Sequence, residues 1–60
     1  MGTQYKVVET SEVTDVRLEA ILNEWTALGW RLESMQFAMR DSSPRPAMAF
    51  VTFTRSDGED

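Results

Sequence analysis

Apolar positions recur along this chain with two different periods. Leu18, Ile21, Leu22, Trp25 and Leu28 fall at i, i+3, i+4, i+7 and i+10, one stripe of a helical repeat. Arg17, Asn23, Glu24 and Thr26 lie mostly off that stripe. The spacing predicts an amphipathic helix starting near Thr14 or Asp15, either of which can cap the free N–H groups of a first turn. Gly29 follows the last stripe residue and suits the left-handed conformation that ends a helix. With Gly29 at C′, Trp25 stands at C3 and Trp30 at C″, two positions whose side chains meet in that stop. Trp25, Gly29 and Trp30 are therefore read as a structural helix stop, with both tryptophans close together on the core side.

Elsewhere the period is that of a strand. Residues 4–10 carry Tyr5, Val7 and Val8 between polar neighbours and predict a first strand. After Gly29, Trp30, Leu32 and Ser34 alternate with Arg31 and Glu33, a half-buried second strand. The phase then shifts, because Met35, Phe37 and Met39 continue on the side of Arg31 and Glu33. Two explanations compete. A β-bulge near Ser34 returns these residues to the core face, or the strand is regular and its second half shows an apolar face to a partner. Residues 41–46, with Pro44 and Pro46, read as a hairpin loop. Residues 47–55 form the last strand, with Ala47, Ala49, Val51 and Phe53 on one face and Met48, Phe50, Thr52 and Thr54 on the other. Residues 56–60 are polar and acidic and read as a disordered tail.

The order β-α-β-β gives one α+β domain over residues 1–55, a single helix on a three-stranded, mainly antiparallel sheet. Placing the last strand in the middle makes every neighbouring pair antiparallel and puts the strand with two apolar faces at the centre. Strand order 1-3-2 is preferred on that ground, with 1-2-3 as the alternative. One helix covers one face of such a sheet. The remaining apolar residues, Val8, Met35, Phe37, Met39, Met48 and Phe50, are then expected to form a self-association face, since soluble monomers rarely expose an apolar patch above a few hundred Å². A homo-oligomer, most simply a dimer, follows.

Composition sharpens this picture. Sixty residues bury only about 60% of the surface of the unfolded chain, and such domains commonly rely on disulfides, metals or partner subunits. The chain has no cysteine and no histidine, which excludes disulfides and removes the commonest general base and metal ligand. Net charge is −4, and the six basic residues are spread singly, so no basic stripe for nucleic acid exists. No apolar run is long enough to cross a membrane, and the first residues do not resemble a signal peptide. A cytoplasmic protein is the expectation.

The segments Tyr5-Lys6-Val7-Val8, then Leu18, Leu22, Asn23, Gly29, Trp30 and Leu32, then Phe50, Phe53 and Arg55 resemble the short bacterial family called domain of unknown function 4177. The resemblance spans nearly the whole chain, and its most specific element is Gly-Trp-x-Leu at the helix end. Trp25 and Arg31 depart from the family pattern. The resemblance implies a small β-α-β-β domain without assigned activity, and it brings no catalytic residues.

Candidate chemistry is sparse. Glu9, Glu12 and Asp15 precede or open the helix, as a divalent-ion site or as a solvated acidic entry favoured by the helix dipole. Glu24 and Glu33 are the remaining acid/base pair to consider. Arg40, Ser42, Ser43 and Arg45 flank the hairpin loop, where they can meet a phosphate or an acidic partner. Trp25 and Trp30 suggest a second reading, a flavin-type ligand stacked at a subunit interface as in dodecin-like domains. The sequence supports a non-catalytic, self-associating module first, with no cofactor, metal or catalytic residue assigned.

Overall fold

A computed structural model describes residues 2–42 and 44–57, the last of these by its backbone alone. Its elements are β1 (Gly2–Thr10), α1 (Asp15–Ala27), β2 (Arg31–Met39) and β3 (Pro46–Asp57). The three strands form one sheet in the order β1-β3-β2, antiparallel throughout.

Each helix end is set by a named residue. Thr14 is the N-cap, and its hydroxyl accepts from the Arg17 N–H at 3.1 Å. Asp15 adds a carboxylate in the first turn, where the helix dipole favours it. Upstream, the buried Thr10 hydroxyl accepts from the Glu12 N–H at 3.1 Å and folds the crossover back towards the sheet. At the other end Gly29 has φ +97°. Gly29 N–H donates to the Thr26 carbonyl and Trp30 N–H to the Trp25 carbonyl, both at 3.1 Å. These are the paired bonds of the expected stop, with Trp25, Gly29 and Trp30 at C3, C′ and C″. Leu28, the last residue of the stripe, is the C-cap and lies 58% exposed rather than in the core.

The bulge is the first of the two explanations for the phase shift in β2. Leu32 pairs with Phe53 and Ser34 with Thr52, leaving Glu33 as an extra residue. Met35 therefore pairs with Val51 and Phe37 with Ala49, on the side that faces the helix. A second irregularity at Ala47 lets Met39 pair with Pro46.

The core lies between helix and sheet. Ile21, Val51 and Phe53 are its fully buried centre, and Val8, Leu18, Leu22, Trp25, Trp30 and Met35 pack around them. With Ala49, these three are the buried apolar side chains among the described residues. The strands are staggered. β1 ends where Thr10 pairs with Ala49, while the β2–β3 hairpin runs on to Met39 and Pro46. At the opposite end Gly2 and Thr3 pair with Asp57 and Ser56. Residues 56 and 57, expected in a tail, are thus the end of a strand, because two further residues of β1 offer them ladder partners. The remainder of that expected tail, Gly58 to Asp60, lies outside the described residues. The molecule measures 46 × 20 × 11 Å.

Candidate functional site

The register assigns each strand residue to a side of the sheet. The helix side carries the rows Thr10–Ala49–Phe37, Val8–Val51–Met35, Lys6–Phe53–Leu32 and Gln4–Arg55. The opposite side carries Glu9–Phe50–Gln36, Val7–Thr52–Ser34 and Tyr5–Thr54–Arg31, with Met48–Ala38 beyond them. Nothing among the described residues covers this second side.

The six residues expected to form one self-association face are divided by this arrangement. Met48 and Phe50 lie on the open side, half-buried by their neighbours. Val8 and Met35 pack against the core instead, and Phe37 and Met39 share the helix side with Met35, at 47% and 59% exposure near the overhanging hairpin. For Met35, Phe37 and Met39 the cause is the Glu33 bulge, which reverses their facing. For Val8 it is the pairing with Val51. The open face takes Tyr5 and Val7 in their place, at 68% and 60% exposure.

Hydrophobic alternation alone misplaces β1, because Tyr5 and Val7 look more core-like than Lys6 and Val8. Lys6 succeeds on the helix side by burying its stem while its ammonium lies 4.6 Å from the centre of the Trp25 ring. Arg55, exposed, stacks on Trp30 with Cζ 4.4 Å from the ring centre, and its Nε donates to Gln4 Oε1 at 2.9 Å. Trp25 also lies against Phe53, with ring centroids 6.4 Å apart. The helix has no basic residue in its last turn, and both cations come from the sheet, over the rings of Trp25 and Trp30. Each tryptophan thus has a structural occupation, as a half-buried core residue beneath a cation. A cation lies over one face of each ring.

The polar candidates do not converge. Among the described residues no three acidic side chains gather as a metal-holding group. Glu9, Glu12 and Asp15 are exposed, and Glu12 Oε2 accepts from the Thr14 hydroxyl at 3.4 Å. Glu24 lies exposed on the helix and Glu33 exposed at the bulge. Arg40, Ser42 and Arg45 are exposed around the hairpin turn, and Ser43 lies outside the described residues. No cavity forms among the described residues. The feature with the most area and the clearest chemistry is the open sheet face.

No family model, curated protein or solved structure matches the chain. The likeness to the domain of unknown function 4177 family rests on the residues quoted for it.

Proposed function

We propose that this protein is a non-catalytic, cytoplasmic interaction module that works by self-association. One observation carries the reading. A sheet with a single covering layer leaves Tyr5 and Val7 open on the same face as the half-buried Met48 and Phe50. Burying a large apolar side chain contributes roughly 1.5–3 kcal/mol. For several residues the sum is comparable to the ~3–9 kcal/mol expected for the whole stability of a chain this long. The core supports the same reading, since few apolar side chains are fully buried on the helix side. The absence of His and Cys from the sequence and the scattered carboxylates favour binding over catalysis.

Thermal unfolding followed across a hundredfold range of protein concentration tests this. Association of folded chains raises the melting temperature with concentration. A melting temperature independent of concentration throughout that range contradicts the proposal. Purified protein is expected to be colourless, without bound flavin.

A further inference from the structure

We propose that the outer edge of β1 is a second association surface, which pairs antiparallel with β1 of another copy about a two-fold axis perpendicular to the sheet. The contact lies in the plane of the sheet, so it is separate from association through the open face. It joins two copies into one six-stranded sheet with both helices on the same side.

The order β1-β3-β2 leaves two edges. Along each, every second residue turns its backbone N–H and C=O away from the sheet, where another strand can pair with them. The two edges differ. β2 carries register shifts at Leu32/Ser34 and at Ala38/Met39, and a bulge in an edge strand works against a further strand. β1 runs from Gly2 to Thr10 without a shift and without proline. The exposures fit an unfilled place beside it. Tyr5 and Val7 are open, while Phe50 and Thr52 on the central strand of the same face are half-buried. Phe50 and Thr52 have a strand on each flank, and Tyr5 and Val7 have one on a single flank.

A two-fold axis of this kind opposes residues of the same face, so the pairing is centred on one residue of β1. Lys6 decides which. A register centred on Lys6 sets the two Lys6 side chains directly opposite each other, which is destabilising. Centred on Val7, it opposes Val7 to Val7 and Tyr5 to Glu9 on the open face, with Lys6 to Val8 and Gln4 to Thr10 on the helix side. No like charges are then opposed, the Tyr5 hydroxyl can donate to the Glu9 carboxylate, and the Lys6 stem covers Val8. Centred on Tyr5, the register sets Val8 against Gly2, which has no side chain to cover it. Centred on Gln4 or Val8, it pairs only residues 2–6 or 6–10. A second copy of β1 is therefore a self-complementary occupant of this edge. The contact buries few side chains and is the weaker of the two, so covalent trapping reads it best.

The chain has no cysteine, so single cysteines report the seam. In the Val7 register the two copies of residue 7 lie about 4.5–5.5 Å apart between Cα atoms, within the range of a disulfide. The two copies of residue 5 are displaced by four residues, about 13 Å along the strands, and are out of range. Facing sheets lie ~10 Å apart, so contact through the open face links neither. In a glutathione redox buffer, the constant for disulfide dimerisation of Val7→Cys should exceed that of Tyr5→Cys at least tenfold. The same excess is expected with Thr52→Arg added, because Thr52 lies one strand in from the seam. Equal constants overturn the edge contact, and an excess for Tyr5→Cys overturns the register centred on Val7. An excess that vanishes with Thr52→Arg assigns the link to the open face and overturns the edge contact as well. A single-chain mass for the wild type at tens of micromolar contradicts association through the open face alone, since the link at residue 7 does not pass through that face.

Discussion

Gly29 is the residue on which the helix end depends most simply. Its φ of +97° lies in the region that L side chains rarely adopt, yet a Cβ placed there meets nothing within 4 Å. Gly29→Ala therefore isolates backbone strain from crowding, and it should lower stability by about 1 kcal/mol or more. A urea titration reads this as a lower midpoint; an unchanged midpoint contradicts the stop. Thr14→Ala should cost a similar ~1 kcal/mol, with Thr14→Gly closer to wild type, because the hydroxyl satisfies the Arg17 N–H. Gly29 was legible in the sequence, since a glycine just after the stripe has one physical meaning; the cap was narrowed there to Thr14 or Asp15, and Thr14 takes it. Lys6 was not legible. Its charge marks it as a surface residue, and only the ring of Trp25 beneath its ammonium explains a place on the helix side. Arg55→Ala removes both the Trp30 stack and the Gln4 bond and should cost roughly 0.5–1 kcal/mol.

At the scale of elements, β2 shows how one residue decides which face a strand presents. Glu33 is the extra residue, and beyond it Met35 and Phe37 turn towards the helix. Deleting Glu33 leaves Leu32 on Phe53, Ser34 on Thr52 and Met35 on Val51 as one unbroken ladder, so Met35 and Phe37 keep facing the helix. The chain should therefore stay folded, with a urea midpoint that falls by far less than the loss of a large core side chain would cause; a largely unfolded chain by circular dichroism contradicts the bulge. The phase break was visible in the apolar pattern. Whether it meant a bulge or a second apolar face was not, because alternation does not record which side a partner lies on. Pairing with Val51 and Ala49 settles it. The same lack of partner information hid the start of β1 and the end of β3, where polar residues such as Thr3 and Ser56 pair by backbone alone.

For the whole molecule, the strand order was legible because one helix and three strands admit few antiparallel arrangements, and the two-faced β3 belonged at the centre. The surplus of apolar side chains was legible too, but its distribution was not. The Glu33 bulge and the Val8–Val51 pairing bring four of the six expected residues to the helix side, leaving Tyr5 and Val7 with Met48 and Phe50 on the open face. The radius of gyration, 13.3 Å, exceeds the ~10 Å of a compact domain of this length, as a thin, staggered sheet requires. Such a layer gains most by acquiring another on its open side. Sedimentation equilibrium of the wild-type chain at tens of micromolar tests this most directly. Self-association predicts a mass of twice the 6.9 kDa chain, falling towards one chain on substitution of Thr52 by Arg. A single-chain mass for the wild type across that range contradicts it.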